Sequence, residues 1–214
     1  MTPSPPASAD FTLPTGLGGG VARLLGLVFP APTPILHSER LYIRPPRRLD
    51  YREWSALRAV SHDHLQPWEP LWSAEATGRR AFRHRLRSQA ADRKADAAYG
   101  YFLFWGDSHR LVGGINVSNV RRGAIQSASL GYWVGAPYAG RGVMTEALGR
   151  VLVHLYDDIG LHRIEAACMP ENMASRRVLE KCGFTYEGTA RRYRQIAGAF
   201  RDHMLFAKLA GDPR

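Results

Sequence analysis

Gly140-Arg141-Gly142 sets an arginine between two residues that lack a Cβ, immediately before a run patterned as a helix. The first turn of a helix carries N–H groups without partners of their own, and glycines let the chain bring several of them onto one anion. The helix dipole adds a few tenths to about 1 kcal/mol, and an arginine adds a charge-assisted contact. Phosphate is the fitting ligand. Two nucleotide motifs fail here on named positions. A P-loop needs Gly-Lys-Ser/Thr where Val143-Met144 stand. A dinucleotide turn needs a third glycine where Thr145 stands, and an acidic residue at the next strand's end, whereas Glu165 falls in mid-strand. Alone, the turn reads equally well as a tight bend.

Other residues offer chemistry of their own. Asn172 and Ser175 lie three apart on a helical run and so share a face. The same N-x-x-S pattern also describes a helix N-cap. In Pro67-Trp68-Glu69-Pro70, with Trp72 just beyond, a carboxylate stands among indoles. It suits an ammonium held between apolar walls; a proline-rich structural loop is the competing reading, stronger for Trp72 than for Glu69. His62 and His64 flank Asp63, but no third ligand lies near, so no metal is expected. His154 and His162 read as structural.

These groups need elements to hold them. Residues 1–34, rich in Pro, Gly and Ser, read as a flexible tail, and residues 35–210 as one domain. "LHSERLYIRPP" reads as an edge strand, and "LDYREWSALRAV" as a helix with Asp50 as N-cap. "SHDHLQPWEPLW" reads as a loop. A helix over 77–92 buries Phe82 and Leu86 and turns Arg79, Arg80, Arg83, Arg85 and Arg87 to solvent, where RNA offers a weaker alternative. Three strands follow, joined by connections short enough for antiparallel neighbours. Val143, Ala147, Val151, Leu155 and Ile159 then recur every four residues, a helix that stops at Gly160. "RIEAACMP" reads as a strand, "NMASRRVLEKCG" as a short helix, and "FTYEGTARRYRQI" with "FRDHMLFAKL" as a closing strand pair. The order β-α-α-β-β-β-α-β-α-β-β is one mixed α/β sheet with a single β-α-β crossover.

Composition is that of a soluble globular protein: 214 residues, 45% hydrophobic and 22% charged. A formal net charge of +10 favours polyanionic surroundings or a phosphate-bearing ligand, unless it serves only solubility. Cys168 and Cys182 fit no disulfide framework or metal spacing, which points to the cytoplasm. No apolar run approaches the roughly 20 residues a bilayer requires, and no membrane role is expected.

Taken together, "PWEP" at 67–70, "NVRRGAIQSASLGYWVG" at 119–135, "GRGVMTEAL" at 140–148, "HRIEAACMPENMAS" at 162–175, "GFTYEGTARRY" and "FRDH" resemble the GNAT acetyltransferases. Within them the chain is most similar to the RimJ/RimL ribosomal-protein N-terminal acetyltransferases, and to the RimJ branch. The resemblance runs from about residue 36 to 209. It implies the GNAT acyltransferase fold: a mixed, mostly antiparallel sheet with a splayed central parallel strand pair and flanking helices. It implies acetyl-CoA as co-substrate, its pyrophosphate on the amides of residues 141–145. Gly140, Arg141, Gly142, Val143, Met144 and Thr145 would hold the phosphates, with Trp133, Val134 and Gly135 beside the pantetheine. The family's turn usually opens on Gln or Arg; Pro137 stands there instead, removing one side-chain contact and leaving the backbone cradle.

By the same resemblance the Val134 N–H is the oxyanion donor, Asn172 bonds the pantetheine, and Ser175 points its hydroxyl at the CoA sulfur. Glu69 would receive the acceptor ammonium, with Trp68 and Trp72 as walls. RimL-type relatives place a Glu in the strand that here reads "ARRYRQ", so the usual base is missing. An α-amine of pKa about 7.7–8.0 is roughly one-tenth neutral at pH 7, whereas a lysine near 10.4 is almost wholly charged. The missing carboxylate therefore leans mildly toward an N-terminal acceptor, and the resemblance implies the N-terminal alanine of a small-subunit ribosomal protein, presented free or on a ribosome or assembly particle. A small amine, an antibiotic or a lysine remains an alternative acceptor. A non-catalytic CoA-binding factor in ribosome assembly is a further alternative, and the chain would act as monomer or homodimer.

Overall fold

A computed structural model describes residues 34–213. The expected tail therefore lies outside the described residues, except for its last position. Eight strands form one sheet: β1 (Leu36–His37), β2 (Leu41–Arg44), β3 (Tyr99–Trp105), β4 (Leu111–Arg121), β5 (Ser127–Val134), β6 (Arg163–Cys168), β7 (Thr185–Ile196) and β8 (Ala199–Leu209). Their spatial order is β1-β2-β3-β4-β5-β6-β8-β7. Every neighbouring pair is antiparallel except β5 with β6. The crossover between those two carries the long helix α4 (Val143–Val153).

Helices cover both faces of the sheet. On one face α4 lays down Val143, Ala147, Leu148, Val151 and Leu152, all buried against Leu103, Ile115, Leu130 and Ile164. This is the four-residue periodicity seen in the sequence, and α5 (Met173–Lys181) joins it through Leu179. On the other face α1 (Tyr51–Val60) and α3 (Arg79–Lys94) bring Trp54, Leu57 and Phe82 onto Phe102, Phe104 and Leu111. A strand covered on both sides has no polar face, and six of the seven residues of β3, YGYFLFW, are buried.

Several expectations change in detail. The stretch "LHSERLYIRPP" is a hairpin rather than one edge strand: Ser38 N–H closes onto Leu41 O at 2.9 Å, and β2 lies inside the sheet. Asp50 occupies the N-cap position of α1 without capping it. Its carboxylate is held by the Arg44 guanidinium at 2.7 and 2.8 Å, a stronger partner than the helix amides. The stretch 61–72 is not all loop, since it holds a short helix α2 (His62–Leu65) and a tight turn over Gln66–Trp68. α4 widens into a π-turn over His154–Asp158 before Gly160, whose φ of 72° ends it.

Candidate functional site

β5 and β6 stay in register from Ser127 opposite Arg163 to Leu130 opposite Ala166, and then part. Past that point β5 remains bonded to β4, as far as Val134 opposite Gly113, and β6 to β8, as far as Cys168 opposite Met204. Each strand thus keeps its outer partner and turns an unpaired edge into a wedge. Gly135 N–H donates outward to Val112 O at 2.9 Å. Successive N–H groups of a strand alternate sides, so that of Val134 points inward, into the wedge. Buried without partners such edges would be costly, and an extended ligand with amides can complete them.

At the wide end of the wedge the chain passes through Ala136–Tyr138 and enters α4. Ser61, fully buried, accepts the Ala136 N–H at 2.9 Å and ties this passage to α1. Gly140 and Gly142 have φ of 72° and 73°, a left-handed backbone that costs other residues about 1–2 kcal/mol. No side chain caps α4, and no atom lies within 4 Å of where a Gly140 Cβ would stand. Val143 and Met144 are buried and anchor the turn from below, while Arg141 is exposed. The β1–β2 turn braces the start of α4. Glu146 accepts from the Ser38 hydroxyl and the Arg40 N–H, both at 2.8 Å, and from Arg40 Nε at 2.7 Å. Burial pushes the Glu146 carboxyl up, but these donors outweigh it and hold the group below its ordinary value. Arg40 also reaches Arg141 O at 3.3 Å.

On the α4 side of the wedge Asn172 and Ser175 meet. Asn172 Oδ1 accepts the Ser175 N–H at 3.0 Å, so the N-cap is real and the Asn172 amide NH₂ is left to donate elsewhere. Ser175 Oγ lies 2.8 Å from the Tyr132 hydroxyl, which reaches across from β5. Burial pushes the Tyr132 phenol far up, and it stays protonated. Cys168, buried at the end of β6, is a free thiol whose pKa burial also raises.

On the opposite face Glu69 meets partners of its own. Its carboxylate takes the Arg58 guanidinium as a fork at 2.5 and 2.9 Å and the Trp72 indole N–H at 2.7 Å. The Arg58 guanidinium lies 4.0 Å from the Trp72 ring centre and 5.1 Å from that of Trp133. Glu69, Trp72 and Trp133 are therefore joined through Arg58. Trp68 is half-buried and takes no part in this cluster. The tip of the β7–β8 hairpin closes on the same loop, Ala197 N–H donating to Glu69 O at 3.0 Å. His62 bonds Asp63 at 2.9 Å, and no group of three or more His, Cys, Asp or Glu that would hold a metal occurs among the described residues.

Arg58, Tyr132 and the Ser38–Arg40 brace escaped the sequence reading. For Tyr132 a signal existed: it shares a sheet face with Leu130, two positions before it, so the buried face of β5 runs directly into the wedge. Nothing local to Arg58 or Arg40 marks them, because their partners lie in other elements.

Residues 40–185 match the family described as acetyltransferase (GNAT) domain. A probable N-acetyltransferase, YjcK, of Bacillus subtilis is 33% identical over 83% of this chain and 98% of its own length. The [ribosomal protein uS5]-alanine N-acetyltransferase of Escherichia coli is 33% identical over 83% of this chain and 91% of its own. The solved structure of Mycobacterium smegmatis RimJ, in complex with CoA-disulfide, superposes with a TM-score of 0.77 at 33% identity, covering 83% of this chain and 87% of that one.

Proposed function

Because the chain belongs to the acetyltransferase (GNAT) domain family, we propose that this acetyl-CoA-dependent N-acetyltransferase modifies a protein N-terminus, above all the N-terminal alanine of a small-subunit ribosomal protein. The parted strands β5 and β6 carry the reading. The residues present fit the co-substrate. An uncapped helix start with two left-handed glycines suits a diphosphate, and two bare strand edges suit a chain of amides. Residues 140–145 would hold the phosphates, and Trp133, Val134, Gly135 and Asn172 the pantetheine arm.

Acetyl-CoA supplies an activated acetyl thioester. The Val134 N–H, aimed into the wedge, stabilises the carbonyl oxygen as it gathers charge. Ser175 gives the departing sulfur a proton, and Tyr132, neutral and 2.8 Å away, orients that hydroxyl. Glu69 is already matched by Arg58, so its part is to fix the Arg58–Trp72 wall beside which the amine enters, with Trp68 at the edge. The 33% identity with the uS5-alanine enzyme supports the acceptor, and the net charge of +10 supports a ribosomal setting in the cytoplasm.

Incubation with acetyl-CoA and peptides that differ only in their first residue, read by mass spectrometry, tests this. Alanine-led peptides are expected to gain one acetyl group on the α-amine. Turnover confined to small amines, antibiotics or lysine side chains would replace the acceptor. CoA binding without any product would leave a non-catalytic factor.

A further inference from the structure

At pH 7 about nine-tenths of an α-amine of pKa near 8 is still protonated, so a proton acceptor would speed the reaction, and the strand 190–195 holds no carboxylate. The neighbouring strand does hold a histidine. Met204 of β8 stands opposite Cys168 of β6 and packs into the core on the α4 side. Side chains alternate along a strand, so His203 points to the opposite face, the one that carries Trp133 and the Arg58 cluster. His203 follows one position beyond the Cys168–Met204 pair, on the length of β8 that borders the parted end of β5 and β6. Tyr193, whose ring meets that of His203, also lines a cavity of about 130 Å³ together with Ala167 and Leu205.

The ring is held in one tautomer. His203 Nδ1 lies 3.0 Å from Arg201 O, and a carbonyl only accepts, so Nδ1 carries the hydrogen and Nε2 keeps its lone pair. Among the described residues no group bonds Nε2. Tyr193 meets the ring at 5.7 Å between centroids and fixes its plane. We propose that His203, acting through one water, accepts the proton of the acceptor ammonium; this rests on the reading of the wedge as the acetyl-CoA site.

The charges around the ring agree with that role. Burial lowers the His203 pKa, and Arg194 on β7 lowers it further. The Arg201 carbonyl, Asp202 beside it and Glu171 before α5 act in the other direction without reversing the shift. A histidine with a lowered pKa is in its basic form at pH 7. The ammonium gives one proton to Nε2, and the amine nitrogen forms its bond to the acetyl carbon as the carbon–sulfur bond breaks. The second excess proton on nitrogen passes by way of Ser175 to the sulfur, and the imidazolium later returns its own to water. Such a base suits an α-amine of pKa about 8 and fails a lysine near 10.4.

Three measurements test the assignment. In nitrogen-resolved imidazole NMR of the ligand-free protein, His203 is expected as the Nδ1–H tautomer, titrating below the usual value of about 6.5. His203→Asn keeps an N–H for Arg201 O and removes the base, and His203→Gln is the second variant. Both are expected to bind CoA as wild type does in calorimetry. Both are expected to lose about tenfold in kcat/KM at pH 7, with the loss shrinking toward pH 9 and the acidic limb moving to about 8, where the amine deprotonates unaided. Variants within twofold of wild type and with an unmoved limb would overturn the proposal, as would an Nε2–H tautomer, which decides even if neither variant folds. If wild type acetylates only a small amine, the acceptor reading falls, and the same comparison on that amine judges His203. If CoA binds and no amine is acetylated, both fall.

Discussion

Ser175 Oγ lies against the Tyr132 phenol, and in the proposed mechanism the same hydroxyl protonates the departing sulfur. Ser175→Ala is expected to lower kcat about 10- to 100-fold with the KM for acetyl-CoA nearly unchanged, because the proton is needed only as the bond breaks. Tyr132→Phe is expected to cost less, since it loosens the hydroxyl without removing it. Steady-state kinetics on an alanine-led peptide separates the two. Glu69→Gln breaks the fork to Arg58 and frees the Trp72 wall, and is expected to raise the KM for the peptide severalfold while CoA binding holds. That Asn172 and Ser175 share a helix face was legible from their spacing, and so was the N-cap that Asn172 makes to the Ser175 N–H. The fork between Glu69 and Arg58 was not, because Arg58 sits eleven residues earlier and the tight turn at Gln66–Trp68 lies between the two. The place of His203 in the fold was equally hidden, since it depends on a register between strands far apart in sequence.

Among elements, the β1–β2 turn and the start of α4 form a brace centred on Glu146. Glu146→Ala is expected to cost about 1–2 kcal/mol in urea unfolding, from two hydrogen bonds that lose their acceptor. The half-exposed Arg40 pairing adds little. The carboxyl titrates lower in the folded chain than in the unfolded one, so its contribution is full above the unfolded pKa of about 4.3 and fades as pH falls through the folded value. The stability gap between wild type and Glu146→Gln is expected to close below about pH 4. The order of elements was readable because α4 repeats every four residues and β3 is apolar throughout. The hairpin inside "LHSERLYIRPP" was not, because a two-residue strand is too short for periodicity and its turn is held by Glu146, more than a hundred positions away.

For the whole molecule, if the acceptor is met on a ribosomal particle as proposed, the net charge of +10 predicts that binding to it falls about tenfold or more between 50 and 200 mM salt. Acetylation of a short free peptide is expected to change little over that range, and sedimentation alongside kinetics makes the comparison. The parted strands carry a consequence for the protein's lifetime. A fold whose inner edges are finished by its substrate gains stability by mass action, about 2.7 kcal/mol when CoA stands a hundredfold above its dissociation constant, or roughly 5–10 °C in melting temperature. Survival is thereby tied to supply. In a starved cell, as acetyl-CoA runs down, residues 131–134 and 167–168 would breathe first, and proteases would meet the enzyme at the very place where its work had stopped.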